Sequence, residues 1–191
     1  MIWKKEYEDC ESDFRECEKL TNEYLKGFYK LGYEPTFYYT ESFCGPAYGI
    51  KVNINGYEVL MDLDYLETDS ECGPDLYFGM EFPLNGLTEE DVRAIEEKYK
   101  HELENCAFDV LDYYGEKEIG FIKEGRRLQA EEEGENYVEP DFQPCISLAK
   151  MYPGCGRSVS RNIDGIVKAL TEKDGVVEKI KKEIENGGLS K

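Results

Sequence analysis

The segment "CGRSVSR" places Cys155 and Arg161 at the two ends of a seven-residue stretch between a strand-like run and the start of a helix-like one. That spacing suits phosphoryl chemistry. A Cys155 thiolate would be the nucleophile, Arg161 and loop N–H groups would clamp a phosphate, and Arg157 and Lys168 make the neighbourhood locally positive. The plainer alternative is a Gly/Pro turn leading into a capped helix. A second candidate is the pair Asp62 and Asp64, whose carboxylates would project from one strand face about 6.6 Å apart. Paired carboxylates can hold Mg²⁺ or Ca²⁺. However, "DLDYLETDSECG" has Leu66 and Glu67 where an EF-hand loop needs a ligand and its sharp-turn glycine. The expectation is therefore a solvated acidic face, with no metal and no other cofactor.

The remaining reactive residue types are sparse. His101 is the only histidine, and it falls off the apolar stripe of its helix among Lys98, Lys100 and Glu102, which leaves a Cys-His or Ser-His engine without a base. Seven cysteines, an odd number with no Cys-x-x-Cys pair, fit a reduced compartment better than a disulfide framework. Cys10, Cys17 and Cys106 fall on apolar helical stripes, where free cysteine acts as a small hydrophobe. Cys44 and Cys72 sit in twin heptapeptides, "TESFCGP" and "TDSECGP", expected at the same end of one sheet. A zinc site joining them to Cys145 and Cys155 would match no common ligand spacing, so two equivalent turns are the better reading.

The elements that must position these residues follow from periodicity. Residues 3–31 carry apolar or aromatic side chains at alternating steps of three and four, broken only by Thr21, which predicts a long helix packed on a sheet or paired in a homodimer. In "YGIKVNINGYEVLMDLDYL" the dipeptide Asn55-Gly56 separates two alternating runs, the signature of a two-residue hairpin. Its register sets Ile54 against Tyr57, Val52 against Val59 and Ile50 against Met61. Runs before it ("PTFYYTESF") and after it ("DLYFGMEF") extend this to a four-stranded antiparallel meander. A second helix is expected over 88–114, with Thr88 as N-cap, Asp91 completing a capping box and Val92, Ile95, Tyr99, Leu103, Cys106 and Val110 facing inward. Residues 116–141 read as an acidic connector, "CISLAKMYP" as a strand, and 162–188 as helical material split near Gly175. The fold class is α+β: a core over 1–115, the connector over 116–141, and a helix-rich part over 142–191 packed on the core.

The formal net charge is −19 and is unevenly distributed. Residues 1–141 hold 14 Lys+Arg against 36 Asp+Glu, whereas 142–191 hold 9 against 6. Such a field repels nucleic acid and anionic membranes and attracts basic partners. With 15 Tyr and 9 Phe the chain has material for a core, so this charge belongs to a folded surface. No stretch is apolar for long enough to span a bilayer, and the start "MIWKKEYEDC" has no signal-peptide core, so a cytoplasmic location is expected.

Three resemblances complete the reading. Cys155-x5-Arg161 resembles the phosphate loop of cysteine-dependent phosphatases, although Gly154 replaces that family's histidine and Val159 is awkward in so tight a loop. The element order is similar to acidic secretion-chaperone folds, which implies an acidic chaperone or immunity protein. In charge, size and absence of a catalytic engine, the chain resembles phage-type nucleic-acid-mimic inhibitors, including anti-CRISPR and anti-restriction proteins. That last resemblance implies a non-enzymatic inhibitor of a basic, nucleic-acid-binding protein such as a nuclease, bound through Glu58, Asp62, Asp64, Glu67, Asp69, Glu71 and Asp75.

Overall fold

The structure is a computed structural model that describes residues 11–42, 45–64, 73–134, 136–139 and 142–188. In chain order the elements are α1 (Glu11–Lys30), β1 (Thr36–Ser42), β2 (Gly45–Ile54), β3 (Tyr57–Asp64), β4 (Asp75–Pro83), α2 (Glu89–Leu103), β5 (Val110–Tyr114), α3 (Glu116–Glu133), β6 (Cys145–Tyr152), α4 (Val159–Thr171) and α5 (Val176–Glu185). The strands form one antiparallel sheet in the order β1-β2-β3-β4-β6-β5.

The Asn55-Gly56 turn sets the central register. Both residues have positive φ, 54° and 82°, as a type I′ turn requires. Ile54 then pairs with Tyr57, Val52 with Val59 and Ile50 with Met61. These residues share the inner face with Leu76, Phe78, Met80, Phe82, Leu111, Ile146 and Leu148, and α1, α2, α4 and α5 add their buried residues to the same core. The described part of the α1 stripe is spent there: Cys17, Tyr24 and Phe28 are buried, and Thr21 fits because its hydroxyl donates to the Cys17 carbonyl at 2.8 Å. α2 begins with the capping box at Thr88 and Asp91, and Asp174 with φ 56° separates α4 from α5.

Three expectations change. The sheet has six strands, because β6 inserts between β4 and β5 and so extends the four-stranded meander. The second helix stops at Leu103, and Val110, expected on its buried stripe, lies on β5 and is 40% exposed. The spacing Leu103, Cys106, Val110 mimics helical periodicity, but from residue 110 the pattern has period two, with Leu111 buried and pointing inward. Residues 116–133, expected as an acidic connector, form α3. The helix buries little beyond Ile119 and leaves Phe121 67% exposed, so its periodicity is faint. The return segment is tied to it: the Tyr137 hydroxyl donates to the Lys123 carbonyl at 3.2 Å, and Lys123 pairs with Glu139 at 3.0 Å.

Candidate functional site

Because strand side chains alternate, every residue out of phase with the core projects from the opposite face of the sheet. On that face one row runs through paired positions Tyr38, Gly49, Asp62, Tyr77 and Met151. Tyr77 is 40% and Met151 37% exposed, while α1, α2, α4 and α5 are committed to the inner side. Among the described residues this row is open at Tyr77 and Met151 and half-buried at Tyr38 and Asp62.

Glycine shapes the row. The Tyr38 ring lies across Gly49, where an added Cβ would stand 2.2 Å from the ring's Cζ, and its hydroxyl donates to Asp62 Oδ1 at 2.7 Å on the strand beyond. Burial first, then the charge and hydrogen bond of Asp62, hold the Tyr38 phenol well above its ordinary pKa. Tyr77 leans over Gly79, with its hydroxyl 3.3 Å from the position of an added Cβ, and is hydrogen-bonded with Ser147. Burial is the main cause of its raised pKa, opposed by the Ser147 bond and reinforced by the Asp62, Asp112 and Glu81 carboxylates. Asp112, opposite Ser147, is itself raised by desolvation of its carboxyl. Two tyrosines laid across glycines thus share a surface with three carboxylates.

This arrangement makes a local prediction. Gly49→Ala is expected to lift the Tyr38 ring and break its bond to Asp62, at a cost of about 1 kcal/mol. Spectrophotometric titration should then show one tyrosine ionising closer to the free-phenol range; an unchanged titration would refute the geometry.

The acidic residues expected to bind a partner divide into groups. Glu58 and Asp62 lie on the open face, Glu58 paired with Lys51 at 2.7 Å and Asp62 bound by Tyr38. Asp64 ends β3 at the position paired with Asp75, and Glu67, Asp69 and Glu71 lie outside the described residues, as do Cys44 and Cys72. Asp75 is a correction. It is 2% exposed, and its Oδ1 accepts the Gly154 N–H at 2.7 Å, so its carboxylate is spent inside the fold. The residues missed from sequence are Tyr38, Tyr77, Glu81 and Asp112. The available signal was phase: Tyr77 and Glu81 alternate with the apolar residues of β4.

Cys155 and Arg161 line a common cleft on the helical side, but the loop between them does not turn all its amides toward one point. Two are committed elsewhere: the Gly156 N–H donates to the Pro74 carbonyl at 2.8 Å, and the Ser158 N–H to the Cys155 carbonyl at 3.0 Å. The Arg157 guanidinium pairs with Glu16 at 2.6 Å. A Cβ on Gly156 would stand 2.7 Å from Leu63 and 2.8 Å from the Pro74 carbonyl, so this loop is packed hard against the start of β4. Tyr24 and Asn162 complete the weld, Tyr24 donating to the Gly156 carbonyl at 2.9 Å and Asn162 to the Tyr24 hydroxyl at 2.7 Å and the Cys155 carbonyl at 3.0 Å. A metal site shared by Cys145 and Cys155 is also excluded, since Cys145 begins β6 and Cys155 follows its far end, about 20 Å away at strand rise. Among the described residues no group of three or more His, Cys, Asp or Glu is placed to hold a metal ion. None of the described helices is long and apolar enough to cross a membrane.

Comparison with protein-family models, with curated proteins and with solved structures yields no match to this chain.

Proposed function

We propose that the protein works by binding, its open sheet face receiving an extended arginine- and lysine-rich segment of a nucleic-acid-binding protein and thereby competing with that partner's nucleic acid. The observation that carries this reading is the partly exposed surface on which Tyr38 and Tyr77 lie beside the carboxylates of Asp62, Glu81 and Asp112. Carboxylates pair with guanidinium groups in a forked geometry, and flat phenol rings stack on them. The net charge of −19 supplies long-range attraction for the same occupant.

The test is affinity for an arginine-rich peptide, measured with the full chain at about 50 and about 500 mM salt. Binding should weaken steeply with salt. The triple variant Asp62→Asn, Glu81→Gln, Asp112→Asn should lose about tenfold in affinity, since exposed pairs contribute roughly 0.2–1 kcal/mol each. A control triple, Glu89→Gln, Glu90→Gln, Glu97→Gln on α2, makes the same change in net charge and should lose much less. Equal losses in both triples would assign the attraction to overall charge and refute a docking face.

A further inference from the structure

On the helical side of the sheet, a cleft of about 750 Å³ runs along α4, facing the 102–107 segment and the start of α5. This is the size of small-molecule sites in general. We propose that this cleft binds a small organic anion of nucleotide size, with its phosphate or carboxylate held by Arg161 at the N-terminal end of α4 and with Lys168, two turns further along the same face, beside the rest of the ligand.

The charge arrangement argues for this. In a chain with 42 acidic residues against 23 basic ones, Arg161, Lys168 and Lys173 line one cleft and form no ion pair among the described residues. The remaining lining cation, Lys179, pairs with Glu102 at 2.7 Å. Arg161 also stands in the first turn of α4, where the helix dipole disfavours a cation, and that turn contains no acidic residue to offset it. The Ser158 side chain makes no cap bond to the first-turn N–H groups. An anion at this point would answer the arginine and the helix end together.

The shape agrees. Arg161, Gly165, Lys168 and Ala169 recur on one face of α4, so the two cations stand about 10 Å apart along the helix with small residues beside them. A Cβ on Gly165 would meet only the Ala107 Cβ, at 3.8 Å, so the middle of the cleft is kept clear by side-chain size. Cys106, which also lines it, has its pKa raised mainly by burial and therefore presents a neutral thiol that does not repel an anion. The acidic lining residues, Glu102, Glu172 and Asp174, lie toward the other end, where α4 gives way to α5, interleaved there with Lys173 and Lys179. Among the described residues the Arg161 end of the cleft is lined by no carboxylate, which suits an anionic head, while the mixed charges of the other end suit amino or hydroxyl groups on the ligand's body.

The experiment is amide chemical-shift perturbation of the full chain by four probes: inorganic phosphate, adenosine 5′-monophosphate, adenosine and citrate, each against chloride of equal ionic strength. Saturable shifts at Arg161, Gly165 and Lys168 with the phosphates or with citrate support the site, and the responding probe names the head group. Arg161→Gln with Lys168→Gln should weaken that binding at least about tenfold. Ala169→Phe, which leaves charge untouched and fills the groove, should do the same, so that one variant's failure to fold does not remove the test. Adenosine binding as tightly as its monophosphate, shifts reproduced by chloride, or shifts indifferent to both variants would overturn the proposal. The open face lies across the sheet, so the acidic triple variant should leave this binding unchanged.

Discussion

Asp75→Ala is expected to lower the free energy of unfolding by about 3 kcal/mol, and the melting temperature by about 10 °C for a chain of this size. The cost arises because Asp75 is almost wholly enclosed and its Oδ1 takes the partly buried Gly154 N–H, so truncation leaves both a void at the strand start and a donor stripped of its acceptor. The neighbouring bond from the Gly156 N–H to the Pro74 carbonyl ties the same loop to the same strand start, so loosening one strains the other. Asp62→Ala on the open face is the comparison. It removes one partly exposed hydrogen bond with Tyr38 and should cost no more than about 1 kcal/mol. Chemical denaturation of both variants measures the difference. An Asp75→Ala protein as stable as the Asp62→Ala one would show that the loop after β6 is not anchored through this carboxylate.

The second large effect is on alkaline stability. Tyr24 is completely buried, and that burial pushes its pKa up to about 12, with a smaller upward push from Cys155 and an opposing one from the Asn162 hydrogen bond. In the unfolded chain the phenol ionises near its ordinary value of 10.0, while the folded protein still holds the proton. Below pH 10 the two states bind this proton equally and the contribution is intact. As pH rises from about 10 to about 12, the unfolded state is progressively favoured, amounting to about 3 kcal/mol at the upper end. Cys145, raised from 9.0 to about 11 chiefly by burial, acts with the same sign one unit lower. Stability measured from pH 8 upward should therefore decline before general base denaturation, and Tyr24→Phe should be less stable at neutral pH but flatter above pH 10. Parallel curves for the two proteins would contradict the assignment.

Where local chemistry and tertiary packing agree, the fold was legible. Asn55-Gly56 admits the positive φ of a tight hairpin, Thr88 and Asp91 satisfy each other at a helix start, and Asp174-Gly175 interrupts the C-terminal helices. The misreadings came where spacing was ambiguous or the buried surface small. Val110 continued a helical count by coincidence, and α3 buries too little beyond Ile119 to write a stripe. The site was half legible. Glu58 and Asp62 follow from strand phase, but Asp75 shares their phase and is enclosed, because Gly154 approaches it from 79 residues away. No local pattern carries that contact. Tyr38 and Tyr77 were hidden for a different reason: an aromatic residue on a strand reads as core material, and only the glycines beneath them mark rings that lie flat on a wet face.

The order of strands bears on how this chain must be made. β5 has β6 as its sheet partner, and β6 covers the edge of β4, yet β6 lies some 30 residues later than β5 and is followed by two helices that close the core. A nascent chain that has delivered everything through α3 still presents an unsatisfied β4 edge and the apolar surface that α4 and α5 cover in the finished fold. The ribosome therefore leaves part of this protein's hydrophobic interior open to the solvent until the last quarter of the sequence arrives. A chain shortened before Cys145 should accordingly partition into aggregates or chaperone complexes, not persist as a smaller folded unit.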